Sequence, residues 1–373
     1  MTVATWFVAT RLIIFALGVI GAGSFVNQRA IVATADSGVR PPAILESTAA
    51  LNPENVWHKW DAEWYEEVAA YGYGRNLDTA HGQATAGYFP LFPFTVKALM
   101  TLAPSLSFFW TAAVFSNLCT LAALLLLAYG LIERDDIARR ALAITMLSAG
   151  SFYLSIPYAE SLFLLLVVAV LVATKRRQYE LAGLLAGLSA TTRVHGLALI
   201  AVPAVGCWLD RSMTVRTRIA RAAAAVAIFS APLLIYMAHL NQVQGSWFAF
   251  VSRQELWGNP SPYPFQALAG FVHFPTRITA WLHGGFWFLY VGLLIRYWRR
   301  IPLGEALFCL GVFVISTQQE AFHGVYRYVV PLVPLTIAIA DDRREVRDGL
   351  LAFNIAFGVL MILAFVTYNR LTV

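Results

Sequence analysis

Along most of this chain apolar residues run in blocks of roughly 15–25, separated by short charged punctuation, which is the pattern of membrane-spanning helices. Read this way, the blocks predict spans at 6–26, 108–132, 141–157, 160–174, 179–191, 195–209, 219–240, 281–298, 302–316, 327–340 and 349–368. Several are shorter than a full crossing, as happens where helices break or enter cavities inside a bundle. The expected fold is an all-α, polytopic helix bundle, one integral membrane domain over 1–373, with no soluble domain and no internal repeat. The loop 27–107 interrupts the pattern. It predicts two short helices, near 56–71 and 89–102. "YFPLFPFTVKALMTLA" (88–103) reads as an interfacial or re-entrant helix: two prolines open it and Lys97 sits at its middle.

Composition agrees. Hydrophobic residues make up 59% of the chain and charged residues 13%, against about 45–50% and 25% in soluble domains. The net charge of +6 is no sign of nucleic-acid binding, because the Lys and Arg sit between apolar blocks. Five linkers hold most of them: Arg134, Arg139 and Arg140; Lys175, Arg176 and Arg177; Arg211, Arg216, Arg218 and Arg221; Arg296, Arg299 and Arg300; Arg343, Arg344 and Arg347. The positive-inside rule puts all five in the cytoplasm. The N-terminus then lies inside and the C-terminus outside. The first run, Trp6 to Phe25, has no basic residue before it and reads as an uncleaved helix. Cys119, Cys207 and Cys309 lie within apolar runs, so neither a disulfide nor a Cys metal site is expected.

The same orientation sends the unusual polar residues outside together. In "KWDAEWYEEVAAYGYG" (59–74), a helix groups Asp61 with Trp64, Tyr65 and Val68 and leaves Glu63, Glu66 and Glu67 to water. Trp60, Trp64, Tyr65 and Tyr71 suit a membrane–water interface. Two readings stand: an anchor helix with a solvated acidic side, or Asp61 held at the membrane surface as a base. A carboxylate among rings loses hydration and becomes a better proton acceptor. Glu160, in "PYAES", is either a charge favoured by a helix N-terminus or a second acid that orients a substrate hydroxyl. Arg193 and His195, in "TTRVHG", sit where the positive-inside rule does not call for a cation. They serve a structural salt bridge or an anion such as phosphate. Glu320, His323, Tyr326, Arg327 and Tyr328 form a last group. Arg193, His195, His323 and Arg327 together make a candidate phosphate clamp. No Gly-rich phosphate loop, His-Glu-x-x-His or Asp-rich motif occurs, so the sequence calls for neither a nucleotide nor a fixed metal.

The order Trp-Asp-Ala-x-Trp-Tyr, Tyr-Phe-Pro-Leu-Phe-Pro, Pro-Tyr-Ala-Glu-Ser-Leu-Phe, Thr-Arg-x-x-Gly and Arg-Tyr-x-x-Pro, over about residues 57–331, resembles the PIG-V-like mannosyltransferases, polytopic glycosyltransferases of the GT-C class. Arg11 is a candidate further match. The resemblance implies a polyprenyl-phosphate-linked sugar donor, most simply mannose, and transfer with inversion to an extracytoplasmic glycan, glycolipid or protein. It also implies Asp61 as base, Glu160 as second acid, and donor-phosphate contacts from Arg193, Arg327, His195 and His323. Trp60, Trp64, Tyr65, Tyr158 and Tyr326 are the expected substrate contacts. Eukaryotic members read Arg-Ser-Asn-Gly where this chain has Arg193-Val194-His195-Gly196, which points away from a GPI precursor and toward a bacterial envelope acceptor and a bacterial plasma membrane. The rival readings are a transporter or lipid-carrier flippase, which should place coupling residues near the midplane of two related halves, and a GT-C enzyme using another lipid-linked sugar.

Overall fold

The computed structural model describes residues 2–24, 52–74, 84–257, 263–273, 276–319 and 321–367. Every regular element among them is helical. Five helices are long and apolar enough to cross a membrane: Val3–Gly23, Phe108–Leu131, Val215–Gln244, Ile278–Arg300 and Arg344–Val366. Shorter apolar helices, among them Val194–Leu209 and Leu303–Ile315, pack between them. Small residues allow the close packing. A Cβ on Gly183 or Gly187 would lie 2.4 Å from the carbonyl oxygen of Ala225 or Phe229, so the Tyr179–Ala190 helix meets Val215–Gln244 backbone to backbone. The chain is an all-helical bundle of integral membrane type.

The five basic linkers gather at one end and are tied there by ion pairs. Arg134 pairs with Asp341 (3.0 Å), Lys175 with Glu133 (2.8 Å), Arg221 with Glu180 (2.6 Å), Arg177 with Asp210 (3.4 Å) and Arg296 with Asp342 (3.0 Å). Glu160 opens the helix that reaches this end at Lys175, and the helix leaving it at Tyr179 ends at Ala190 just before Arg193, so both residues lie toward the opposite end.

Four expected helices are broken. The predicted 56–71 helix is two: Pro53–Trp57 and Asp61–Tyr71, separated where Trp60 takes φ 59°. That is a costly conformation for a bulky residue, of the kind held in place by surrounding structure at functional sites. The predicted 141–157 span is a helix ending at Met146, then a turn at Ser151–Leu154. Neighbouring helices satisfy its freed backbone. Arg11 donates to the Ser151 carbonyl, Thr120 to Leu154, Asn117 to Ser155 and Ser116 to Tyr158, while Asn354 accepts from the Ala149 N–H. Irregular backbone inside a bundle requires such partners. The predicted 195–209 span opens as a tighter turn at Val194–Ile200 before its α-helix begins. The predicted 327–340 span divides into Val325–Tyr328 and Val333–Ala340 around Pro331, whose ring cannot continue a helix, and Pro334 sits in the first turn of the second helix, where proline is tolerated.

The 88–103 segment is the helix Leu91–Leu102. At 12 residues it is about 18 Å long, well short of a bilayer. It buries Phe92 and Val96 and leaves Lys97 exposed. Much of the first loop (25–51 and 75–83), Glu320 and the ends of the first and last predicted spans lie outside the described residues.

Candidate active site

Asp61 is the first residue of its helix, and that helix start lacks a side-chain cap of its own. Tyr158 supplies the missing partner from across the bundle: its hydroxyl accepts from the Asp61 N–H (3.2 Å) and donates to the Lys59 carbonyl (3.0 Å). Lys59 is buried, and its ammonium meets the Val366 carbonyl (2.5 Å) at the end of the Arg344–Val366 helix. A cation there complements the negative end of the helix dipole. Trp57 packs on Phe365 and Phe15 from the same side. The expected faces of the Asp61–Tyr71 helix are observed: Trp64, Tyr65 and Val68 are buried, while Glu63, Glu66 and Glu67 keep partial exposure and Glu66 pairs with His58 (3.3 Å).

Two arginines complete the constellation. Arg327 Nη1 lies 2.6 Å from Asp61 Oδ2, and its Nε is 3.8 Å from Glu160 Oε1. The same Glu160 oxygen is 2.5 Å from Arg193 Nη1. The four side chains form one chain of alternating charge, Asp61–Arg327–Glu160–Arg193. Along it the side-chain exposures are 24% for Asp61, 16% for Arg327, 3% for Glu160 and 11% for Arg193. The accessible half is thus Asp61 with Arg327, and the other pair forms its back wall.

Local sequence explains the placement. Gly150 lets the broken 147–159 segment press against the 325–328 turn, because a Cβ there would fall 2.6 Å from the Tyr326 carbonyl oxygen and 2.7 Å from Arg327 Cα. Gly196 allows the Arg193 turn to fold back on the preceding helix, where a Cβ would clash with the Ser189 backbone at 2.4 Å. The Leu91 N–H donates to the Thr191 carbonyl (2.9 Å), tying the Leu91–Leu102 helix to the same turn.

Aromatic rings wall the site. Both guanidinium carbons lie 5.4 Å from the Tyr328 ring, and Arg327 is 5.6 Å from Tyr153, distances at which a cation gains from the ring face. His195 packs on Tyr328 with centroids 4.4 Å apart. Its two ring nitrogens are buried with no hydrogen-bond partner among the described residues. Tyr88 approaches Asp61 Oδ1 to 3.5 Å and stacks on Trp64. Burial, followed by the nearby Asp61 charge, pushes the Tyr88 hydroxyl well above its usual pKa. Burial pushes the His323 imidazole down to about 4, helped by His283 and Arg327.

The sequence-predicted residues therefore divide. Asp61, Glu160, Arg193 and Arg327 meet directly, His195 packs on Tyr328 beside the arginines, and His323 lies near enough to Arg327 to feel its charge. Of the expected substrate contacts, Trp60 is partly exposed. Trp64, Tyr65, Tyr158 and Tyr326 are buried. Tyr158 positions the Asp61 backbone, and Tyr326 shares a hydrogen bond with Tyr153 (2.9 Å). Tyr88, Tyr153 and Lys59 are the contributors that sequence reasoning did not single out, whereas Tyr328 belonged to the last group it named. Tyr88 and Tyr328 were visible as members of the quoted motifs. The roles of Tyr153 and Lys59 depend on contacts with residues 326 and 366, far along the chain.

Among the described residues no group of His, Cys, Asp and Glu side chains converges as a metal-binding cluster. No protein-family model, curated protein or solved structure matches this chain.

Proposed function

We propose that this chain is a GT-C-type glycosyltransferase that moves a sugar, most simply mannose, from a polyprenyl-phosphate donor to an acceptor hydroxyl at the polar end of the bundle. The observation that carries this reading is the alternating chain Asp61–Arg327–Glu160–Arg193, open at Asp61 and Arg327. It offers a carboxylate for a hydroxyl proton beside two fixed cations for a phosphate. Its position at one end of the bundle, away from the basic linkers, suits an enzyme of a membrane-surface lipid better than a transporter, whose coupling groups belong near the midplane.

In the proposed reaction the acceptor oxygen attacks the anomeric carbon of the sugar. The bond from that carbon to the phosphate oxygen breaks on the opposite face, and its electron pair leaves with the lipid phosphate. Asp61 takes the hydroxyl proton, and configuration inverts. Charge grows on the departing phosphate, and Arg327, with Arg193 behind it, is placed to offset that charge. His323, with its lowered pKa, acts at neutral pH as an uncharged hydrogen-bonding group.

In this reading the bundle has 11 spans, five of them the long helices and the other six made by the shorter or broken ones. The basic end faces the cytoplasm and the site faces outward, in a bacterial plasma membrane. The test is transfer of radiolabel from polyprenyl-phosphate mannose to lipid and glycan fractions by membranes carrying the protein. Transfer above that of control membranes supports the reading, and equal transfer refutes it.

A further inference from the structure

Arg327 is the cation nearest the open side of the site, and it is already engaged. Its contact with Asp61 runs through one nitrogen, Nη1 to Oδ2 at 2.6 Å. Its Nε is buried without a hydrogen bond, 3.8 Å from Glu160. The Asp61–Arg327 pair shows 24% and 16% of its side chains, against 3% for Glu160 and 11% for Arg193, which lie 2.5 Å apart, so it is the more accessible of the two. Two acids and two guanidiniums leave the resting site without net charge. An entering phosphate ester adds at least one negative charge, and the more accessible guanidinium it meets is the one Asp61 occupies. Two anions then compete for one cation. A phosphate offers two oxygens to the guanidinium fork, whereas Asp61 uses one.

We infer, resting on the reading above, that the lipid phosphate and Asp61 share Arg327 in turn. The phosphate takes Arg327, Asp61 swings free, and its carboxylate then becomes available to an acceptor hydroxyl. The movement needs only rotation of the Asp61 side chain, whose carboxylate besides Arg327 meets the Tyr88 hydroxyl at 3.5 Å. Tyr158 holds the Asp61 backbone and does not bond the carboxylate. The consequence is an order of binding. Donor enters first, and without it Asp61 stays locked to Arg327. The ligand class of the exposed half is a phosphate mono- or diester on an apolar chain.

The discriminating experiment is equilibrium binding of a radiolabelled short-chain polyprenyl phosphate, with the uncharged polyprenol as control. The full-length protein in detergent is compared with Asp61→Asn, Asp61→Ala and Arg327→Gln. A site closed by Asp61 nine-tenths of the time binds about tenfold more weakly than an open one. Both Asp61 variants are therefore expected to bind the phosphate about tenfold more tightly than the parent, and Arg327→Gln at least tenfold more weakly, with polyprenol unaffected throughout. Unchanged or weaker binding in both Asp61 variants, with loss in Arg327→Gln, overturns the sharing of Arg327 and leaves the lipid-phosphate reading standing. Binding that is absent, or indifferent to Arg327→Gln, overturns both. Using two Asp61 variants guards against misfolding of either one.

Discussion

Removing the charge of Glu160 should damage the fold severely. This acid is 3% exposed and lies 2.5 Å from Arg193 and 3.8 Å from Arg327. At an effective dielectric of about 20, those separations correspond to gross attractions of roughly 7 and 4 kcal/mol. Most of that is spent on desolvating the charges, so the pair's net worth is small. The single variant is costly for a different reason: Glu160→Gln strands Arg193, itself 11% exposed, beside a second guanidinium. Breaking a buried pair from one side costs about 3–5 kcal/mol, whereas replacing both partners is often near neutral. The expectation is a loss of about 3 kcal/mol or more for Glu160→Gln and for Arg193→Met separately, and for the double variant a loss clearly smaller than their sum. The assay is SDS- or heat-induced unfolding of the four detergent-solubilised proteins, followed by circular dichroism. Additive losses, or a Glu160→Gln protein within 0.5 kcal/mol of the parent, would refute the claim that Glu160 anchors the arginines.

Other outcomes follow from the same contacts. Tyr158→Phe deletes the bonds to the Lys59 carbonyl and the Asp61 N–H, so turnover should fall about tenfold or more with little change in donor affinity; equal loss in both would show that Tyr158 binds the donor. Lys59→Met frees the Val366 carbonyl end of the last helix and should cost about 1–3 kcal/mol, measured by the same unfolding series. His323 sits below its ordinary value of 6.5, at about 4. Between those values the unfolded chain binds the proton and the folded one does not, so stability falls as pH drops from 6.5 toward 4. The loss is at most about 3 kcal/mol, and His323→Gln should flatten that part of the profile; an unchanged profile would show that His323 carries none of it. A cysteine at exposed Ser105 should react with an impermeant reagent outside the cell and one at exposed Asp135 should not; the reverse pattern inverts the proposed orientation. The three native cysteines are buried and contribute little background.

The sequence was most legible where one residue type carries one physical meaning. Arginines between apolar blocks announced a common end, and the ion pairs Arg134–Asp341 and Lys175–Glu133 realise it. The period of the 61–71 helix separated its rings from its glutamates, as observed. Hydropathy was blind to backbone breaks, because a broken segment in a bundle is as apolar as a helix. Ser148, Gly150, Ser151 and Ser155 mark the break at 147–159. Their meaning appears only beside Arg11, Asn117, Thr120 and Asn354 on other helices, which take up the freed backbone groups. The candidate site was legible as a set of residues but not as a pattern of pairing. Whether Arg193 and Arg327 face phosphate or acids depends on how residues 61, 160, 193 and 327 meet, and in the structure they meet the acids.

The most direct test of the account is whether purified protein, given polyprenyl-phosphate mannose and a membrane extract as acceptor, releases polyprenyl phosphate in step with mannose transfer. The account predicts equal amounts of both products from the parent protein and at least a hundredfold less of each from equally folded Asp61→Asn. Full transfer by Asp61→Asn, or no transfer by the parent, would contradict it.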